Sequence, residues 1–384
     1  MKRLFVWSCI LFLFFIPIVK AEEISLAENA KSAIIIEPTT GKILFEKNSH
    51  EKLHPASMTK MMSMLLILEA IDQKTLSWDE MVTVSENASS MGGSQILLET
   101  GEKMSVHDLF KGIAVASGND AVVALAERVA GSKEEFVKKM NKRADELGLK
   151  DTNFKNPHGL DDSNHYSSAY DMGMIAKELS KHEKIFEFTS IYEDYLRKGT
   201  DREIWLVNTN KLVKFYEGVD GFKTGYTKEA GYCLTATAKK NGMRVITVVM
   251  GESDSKVRNN ETTGMLDYAF ANYKLDTILS KDTVLKKEIV DKGKKKFVEI
   301  IPSKDVTSLR KISDKEKKID YSLHINTIKA PIKKGTSVGN IEITEDGKNK
   351  RKIDVTVKED VQKANIIDLY IRYFKEIISG NIAI

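Results

Sequence analysis

Predicted strands lie at both ends of the first 273 residues, and predicted helices lie between them. Two short segments, 31–37 and 42–47, flank Pro38-Thr39-Thr40-Gly41 and predict a hairpin. Helical spacing follows at 57–72, 106–116, 121–130, 133–147 and 168–181. Strand patterns then occur at 222–227, 231–239 and 243–251, before a further helix at 255–273. Strands from both ends must share one sheet, so the order predicts an α+β fold with an antiparallel sheet and a helical insert.

The character of the chain changes near Tyr273. Residues 276–358 are rich in Lys, Val, Ile and Thr, with turn signals at Asp291-Lys292-Gly293 and Glu345-Asp346-Gly347. They predict a small all-β domain, in keeping with the two domains or so expected for 384 residues. The cluster Lys292–Lys296 is interpreted as a solvated hairpin rather than an anion site.

The last segment has the pattern of an amphipathic helix. Projected at 3.6 residues per turn, residues 361–379 place one apolar face opposite charged residues, and that face comprises Ile366, Ile367, Tyr370, Ile371, Phe374, Ile377 and Ile378. The helix is too short and too charged to span a membrane, and its polar face has no cationic excess. We expect residues 361–384 to attach to a membrane surface; docking on the β domain is the alternative.

The first 21 residues have the pattern of a signal peptide. Lys2 and Arg3 precede an apolar run that is short for a bilayer span, and Val19-Lys20-Ala21 fits cleavage after Ala21. An uncleaved anchor is the alternative. Cleavage leaves a nearly neutral chain, and the net charge of +4 before cleavage is too small to indicate a nucleic-acid partner. It also leaves Cys233 as the sole cysteine, so an intramolecular disulfide is excluded. Cys233 is interpreted as a buried, inert thiol.

Three short motifs carry the chemistry. Ser57-Met58-Thr59-Lys60 begins a predicted helix, where positions i and i+3 share a face, so a hydroxyl and an amine come together beside free backbone N–H groups. Taken alone, this motif also fits an exposed helix-capping serine. Ser117-Gly118-Asn119 offers a hydroxyl and an amide from a loop between two helices. Lys223-Thr224-Gly225 begins a predicted strand, where glycine allows close backbone approach.

In this order the three motifs resemble those of penicillin-binding proteins and class A β-lactamases. More narrowly, the chain is similar to low-molecular-mass D-alanyl-D-alanine carboxypeptidases, in the segments Pro55-Ala56-Ser57-Met58-Thr59-Lys60, Ser117-Gly118-Asn119-Asp120-Ala121, Asn156-Pro157-His158-Gly159-Leu160 and Val219-Asp220-Gly221-Phe222-Lys223-Thr224-Gly225. The resemblance implies a five-stranded antiparallel sheet flanked by helices in a catalytic domain at 22–275. A small β-rich domain at 276–360 and an amphipathic helix at 361–384 would follow.

The resemblance also implies the residues of the reaction. Ser57 would be the acylated nucleophile, Lys60 its general base, and Ser117 would relay a proton to the leaving amine. A neutral Lys60 requires burial and a nearby like charge, which Lys223 could supply. The backbone N–H groups of Ser57 and Tyr226 would form the oxyanion hole.

Substrate binding is assigned in the same way. Asn119 would bind the substrate amide, and the terminal carboxylate would meet Lys223, Thr224 and Arg258, beside Gly225. The alternative for Arg258 is an ordinary solvated arginine in a loop before a helix. The chain has Thr209 where some relatives carry Arg, and Tyr226 where some carry His, so substrate selection is expected to differ.

The function implied is a serine-type D-Ala-D-Ala carboxypeptidase that removes the terminal D-alanine from peptidoglycan stem pentapeptides. It would act through a Ser57 acyl-enzyme without metal or other cofactor, and penicillin and other β-lactam antibiotics would inhibit it. The expected location is the outer face of the cytoplasmic membrane, after export, with the C-terminal helix contacting the membrane surface.

Three alternative functions are set against this one. A class A β-lactamase would have Ser-Asp-Asn and a Glu-x-x-Leu-Asn loop, neither of which occurs here. A non-catalytic, membrane-tethered wall-binding protein would not be labelled by penicillin. A zinc peptidase could use the residue types at four positions, but no third histidine is suitably placed; those positions are His158, Asp161, His165 and Asp171.

Overall fold

The computed structural model describes residues 25–378, except residues 317 and 348. The predicted signal peptide at 1–21, and residues 379–384 of the predicted C-terminal helix segment, lie outside the described residues. In chain order, the elements up to residue 272 are β1 (Ser32–Glu37), β2 (Lys42–Lys47), a 3₁₀ turn (Ala56–Thr59), α1 (Lys60–Asp72), β3 (Met81–Thr83), α2 (Glu86–Ser89), β4 (Lys103–Ser105), α3 (Val106–Ala116), α4 (Asn119–Ala130), α5 (Lys133–Glu146), α6 (Ala169–Leu179), α7 (Lys184–Thr189), β5 (Glu193–Leu196), β6 (Ile204–Val207), α8 (Leu212–Phe215), β7 (Val219–Thr227), β8 (Gly231–Lys240), β9 (Met243–Glu252) and α9 (Ser255–Asn272).

A five-stranded sheet organises this first region. Its strand order is β2-β1-β9-β8-β7, and every neighbouring pair is antiparallel. The early strand β1 pairs directly with the late strand β9, so that Ile34 lies opposite Val248. The prediction that strands from both ends share one antiparallel sheet is confirmed.

Side chains of β1 enter two cores in alternation. Ile34 and Ile36 pack on the side of the helical insert, whereas Ala33 and Ile35 pack against α9 and the N-terminal segment. The alternation follows from the two-residue period of a strand. Because both faces are covered by helices, the strand is buried throughout, and its central residues 33–36 are all apolar. On the insert side, α1 lies at the centre and buries residues on nearly its whole circumference.

Two predicted boundaries around the motifs differ from the structure. The helix expected to begin at Ser57 starts with a 3₁₀ turn, and the α-helix begins at Lys60. Strand β7 begins at Val219 rather than at Phe222, so Lys223 lies in the middle of the strand and not at its start. A break in the β7–β8 register between Val219 and Gly221 interrupts the alternation that reveals a strand in a sequence.

Residues 273–378 form a second, β-rich region. Its elements are β10 (Tyr273–Leu279), β11 (Lys286–Asp291), β12 (Phe297–Pro302), β13 (Val306–Lys311), β14 (Ile319–Ile325), β15 (Ile328–Lys329), β16 (Ser337–Glu345), β17 (Asn349–Val357) and α10 (Ile366–Ile378). Strands β10 and β13 pair with each other, and the other six form a sheet in the order β14-β16-β17-β12-β11-β15. A separate core that includes Ile300, Ile341 and Val355 stabilises this region, which agrees with the predicted β-rich character.

The C-terminal helix α10 is shorter than predicted. Residues before Ile366 are extended, because Val361 pairs with Ile332 and Lys363 pairs with Gly293 in isolated β-bridges. Val361 is buried in the core of the β region. Within residues 25–378, as far as they are described, no helix has the length and apolar character needed to cross a membrane.

Candidate active site

Ser57 and Lys60 lie side by side where the 3₁₀ turn passes into α1. Lys60 is fully buried, and its Nζ lies 2.8 Å from the Ser57 Oγ. Burial, reinforced by the positive charge of Lys223, holds the pKa of Lys60 well below its ordinary value, although the Asp120 carboxylate acts in the opposite direction. A neutral amine in this position has a lone pair with which it can accept the hydroxyl proton of Ser57.

The carbonyl oxygen of His158 holds the same amine from the other side. Lys60 Nζ donates a hydrogen bond to this oxygen at 2.9 Å. The following residue, Gly159, has a φ of +89°, and a Cβ there would lie 1.9 Å from the carbonyl oxygen of Ala56. Only glycine fits this contact. The turn is closed by Asn156, whose Oδ1 accepts from Gly159 N–H at 2.6 Å.

The contact between this segment and Lys60 was not predicted from the sequence. The contact joins residues almost a hundred positions apart, so spacing alone does not reveal it. The order Asn-Pro-His-Gly is a turn signal, which could have marked residues 156–159 as a tight loop.

Ser117 and Asn119 contribute two buried polar atoms with no hydrogen-bond partner among the described residues. These atoms are Ser117 Oγ and Asn119 Oδ1, on side chains that are almost fully buried. Ser117 ends α3 with a φ of 63°, a left-handed conformation that costs about 1–3 kcal/mol for a residue other than glycine. Asn119 begins α4, and its Nδ2 donates to the Gly92 carbonyl at 2.7 Å. Buried polar groups are normally paired, so both atoms are available to a bound molecule.

Asp120 fixes the loop beside these two residues and was not singled out from the sequence. Its carboxylate is fully buried and accepts the backbone N–H groups of Ile96 and Leu98, at 3.0 and 3.1 Å, and that of Ala121 at 2.8 Å. An acidic residue in the first turn of a helix is a recognisable sequence signal. It does not reveal which loop the carboxylate will hold.

Strand β7 runs directly past the Ser57 turn. A Cβ on Gly225 would lie 2.7 Å from the Pro55 carbonyl oxygen and 3.3 Å from the Ser57 nitrogen, so a larger residue would force the strand and the turn apart. Thr224 is nearly buried, and its Oγ1 donates to the Thr209 Oγ1 at 2.8 Å. The structure thus places Thr209 beside the Lys223-Thr224-Gly225 motif.

Lys223 and Arg258 add two buried basic side chains. Burial, together with the charge of Arg258, lowers the pKa of Lys223 to about 7. Arg258 lies within α9 rather than in the loop before it, and it is buried rather than solvated. Its Nη2 donates to the Asn259 Oδ1 at 2.9 Å. Lys223 and Arg258 together make a positive, desolvated environment that suits an anionic group.

Tyr226 follows the motif at the open side of β7. Its side chain is 57% exposed, and its ring lies 4.4 Å from that of Tyr232. The backbone of Tyr226, which the resemblance assigned to the oxyanion hole, is the next residue along β7 after Gly225, the residue that lies against the Ser57 turn.

The residues considered as zinc ligands have other partners. His165 Nδ1 accepts the Lys155 N–H at 3.0 Å, so its Nε2 carries the proton and donates to the Thr59 Oγ1 at 2.8 Å. Burial lowers the pKa of this histidine to about 4 and that of His158 to about 3. In the described part of the chain, no three His, Cys, Asp or Glu residues are grouped closely enough to hold a metal ion. This applies to the four residues considered as zinc ligands, which are His158, Asp161, His165 and Asp171.

The thiol of Cys233 is buried, and burial raises its pKa to about 11.

Comparison with known proteins identifies relatives of both regions. The family model for D-alanyl-D-alanine carboxypeptidase matches residues 19–254, and the model for the C-terminal domain of penicillin-binding protein 5 matches residues 273–363. The D-alanyl-D-alanine carboxypeptidase DacF of Bacillus subtilis is 54% identical over 346 residues, which are 89% of this chain and 88% of the relative.

Solved structures agree with these matches. Penicillin-binding protein 5 from Haemophilus influenzae is 33% identical with a TM-score of 0.70, over 89% of this chain and all of that one. Penicillin-binding protein D2 from Listeria monocytogenes, in its ampicillin-bound form, is 32% identical with a TM-score of 0.57, over 65% of this chain and 99% of that one. Sequence and structure therefore place the chain in the D-alanyl-D-alanine carboxypeptidase family, among the low-molecular-mass penicillin-binding proteins.

Proposed function

We propose that this serine carboxypeptidase removes the C-terminal D-alanine from peptidoglycan stem pentapeptides through an acyl-enzyme on Ser57. The observation that carries the proposal is the fully buried amine of Lys60, 2.8 Å from the Ser57 hydroxyl and with its pKa lowered. A serine hydroxyl is a weak nucleophile until a neighbouring base removes its proton. Lys60 is that base.

Acylation begins when the Ser57 Oγ attacks the carbonyl carbon of the penultimate D-alanine and gives its proton to Lys60. The backbone N–H groups of Ser57 and Tyr226 stabilise the negative oxygen of the tetrahedral intermediate. The C–N bond then breaks, and Ser117 relays the proton taken up by Lys60 to the departing amine of D-alanine, which leaves Lys60 neutral again. Lys60 then takes a proton from the water that attacks the acyl-enzyme and returns it to the Ser57 Oγ as the shortened peptide leaves.

Substrate orientation uses the remaining buried polar groups. The free Oδ1 of Asn119 accepts a backbone N–H of the peptide. The terminal carboxylate enters the positive environment of Lys223 and Arg258 and meets the hydroxyl of Thr224, while Gly225 lets the peptide lie close to β7. A β-lactam carries an amide, a strained carbonyl and a carboxylate, so it would occupy the same groups and acylate Ser57.

The pH dependence of substrate binding tests the activity and this carboxylate assignment together. We expect release of D-alanine from an N-acylated peptide ending in D-Ala-D-Ala, with a KM that rises above about pH 7, because Lys223 is charged below its pKa of about 7 and neutral above it. Loss of a hydrogen-bonded charge pair should raise the KM by about tenfold or more. The same peptide with a C-terminal amide should bind weakly and show no such rise.

Release of D-alanine would be followed by chromatography across pH 5–9. Equal KM values and pH profiles for the acid and the amide would contradict the carboxylate assignment. No release from either peptide by a folded enzyme would contradict the activity itself.

We also propose that the protein is exported, with residues 1–21 removed, and works at the outer face of the cytoplasmic membrane. Residues 22–275 would form the catalytic domain and 276–360 the small β-rich domain. The apolar face of α10 supports attachment through residues 361–384, since its side chains are exposed by between 47% at Ile371 and 85% at Ile366. Such a surface is costly in water and typical of a helix that lies in a membrane interface.

A shortened chain tests the attachment. The bridges made by Val361 and Lys363 belong to the β region, so the chain should end at Asn365, just before α10. We expect this variant to stay soluble, to lose binding to lipid vesicles, and to hydrolyse a small D-Ala-D-Ala peptide at the full rate, because every candidate catalytic residue precedes residue 273. Co-sedimentation with vesicles measures the difference, and equal pelleting of the two forms would reject the attachment.

A further inference from the structure

The tip of the β11–β12 hairpin, residues 291–297, lies against α10 and the segment before it. The Lys294 N–H donates to the Gln362 carbonyl at 2.6 Å, and the Ala364 N–H donates to the Lys292 carbonyl at 2.8 Å. The guanidinium of Arg372, on the helix itself, contacts the Gly293 carbonyl and lies 2.9 Å from the Lys294 carbonyl. The hairpin tip is therefore joined by hydrogen bonds both to α10 and to the segment before it.

These contacts place the hairpin tip over the polar face of the helix. At 3.6 residues per turn, Arg372 projects almost opposite the centre of the apolar face. When the apolar face lies in a bilayer, the hairpin tip lies above the helix on the aqueous side. The thickness of one helix, about 10 Å, separates the two. That distance is close to the Debye length at physiological salt, about 8 Å.

The hairpin tip carries a concentrated positive charge. Four of the five residues from 292 to 296 are lysines, and Asp291 is the acidic residue next to them. Lys295 is paired with Glu359. Lys292 and Lys294 are exposed, and neither has a carboxylate partner in the part of the chain that the structure describes. Their charges are therefore available to an anionic surface.

Two further lysines extend the charge along the helix. Lys363 precedes α10 and Lys375 lies within it; both are exposed, and both lack a carboxylate partner among the described residues. The acidic residue at the start of the helix, Asp368, is occupied by its reciprocal hydrogen bonds with Asn365. The cationic surface is thus shared between the hairpin tip and the helix, whereas the helix alone has a nearly balanced polar face.

We propose that Lys292 and Lys294 make the membrane-binding surface selective for anionic lipid headgroups. This inference rests on the proposed attachment through α10, and adds to it a second element that determines which membrane surface is bound. Apolar burial of α10 would supply binding to any bilayer, and the hairpin lysines would supply the preference for negative charge. From the helix alone, we would expect membrane binding to depend little on salt concentration. With the adjoining hairpin lysines, we expect binding to anionic membranes to weaken as the salt concentration rises.

Vesicle binding of the mature full chain and a Lys292→Gln/Lys294→Gln variant tests the proposal. Vesicles of phosphatidylcholine alone are compared with vesicles containing phosphatidylglycerol. One lysine close to an anionic surface raises the affinity for that surface by about fivefold, and the effect falls off within a Debye length. We therefore expect the affinity of the variant for anionic vesicles to be lower than that of the wild type by at least about threefold. Its binding to neutral vesicles should be unchanged.

A matched control removes two exposed lysines from the first region, Lys139→Gln/Lys150→Gln, and should bind both kinds of vesicle like the wild type. An unchanged rate of penicillin labelling would show that each variant is folded. Equal binding of wild type and hairpin variant to anionic vesicles, or equal loss in the control, would overturn the proposal and leave attachment intact. Failure of the wild type to bind either vesicle would instead overturn the attachment.

Discussion

Ser57→Ala enzyme is expected to be folded and to form no covalent adduct with penicillin. The wild type should gain the mass of one penicillin on the peptide that contains Ser57. The substitution removes the Oγ that lies 2.8 Å from Lys60, and with it the atom that forms the acyl bond. Release of D-alanine should fall to background for the same reason. Intact-mass and peptide-mass measurements after incubation with penicillin record the adduct.

A second serine variant controls for the loss of a hydroxyl. Ser180→Ala, at the end of α6, removes a hydrogen bond to the Lys177 carbonyl and lies outside the candidate site. It should be labelled like the wild type. A penicillin adduct on a residue other than Ser57, or no adduct on folded wild-type protein, would contradict the proposed mechanism.

The adjacency of Ser57 and Lys60 could be predicted because it is a local property of the chain. Two residues three positions apart at a helix start are neighbours whatever the rest of the fold does. One antiparallel sheet shared by the early hairpin and the late strands was also predictable, since these strands had to find partners, whereas its five strands were implied by the family resemblance.

Contacts between distant segments could not be predicted in this way. The His158 carbonyl reaches Lys60 from a loop almost a hundred residues away, and the Asp120 carboxylate holds the N–H groups of a preceding loop. Every residue has a backbone carbonyl, so the residue type at position 158 does not show that its carbonyl will bind an amine. The burial of Arg258 was missed because its helix, α9, packs its inner face against the sheet.

The positive charge near Lys60 illustrates what physical chemistry adds to a motif. A like charge near the general base was expected from the need for a neutral amine, and Lys223 was named for it. The structure adds a further step, because Arg258 in turn lowers the pKa of Lys223. The cations are coupled, so binding of a substrate carboxylate beside Lys223 would also change the charge balance felt by Lys60.

Lys60→Arg enzyme should be acylated by penicillin about 10²–10⁴ times more slowly than the wild type, the usual cost of losing a general base. Arginine keeps the positive charge but cannot give up its proton in a protein, so it has no lone pair for the Ser57 hydroxyl. The buried amine of Lys60, with its lowered pKa, is what the substitution removes. Rates of acylation measured with a chromogenic β-lactam test this expectation.

The arginine side chain is larger than the buried site that it would enter, so a second variant separates chemistry from packing. Lys60→Met has no charge and no base, and its side chain has a volume close to that of lysine. If Lys60 is the base, both variants should be nearly inactive, and the methionine variant should still fold, because an apolar side chain of similar volume fills the site. Acylation within about tenfold of the wild type in either folded variant would show that another group removes the proton.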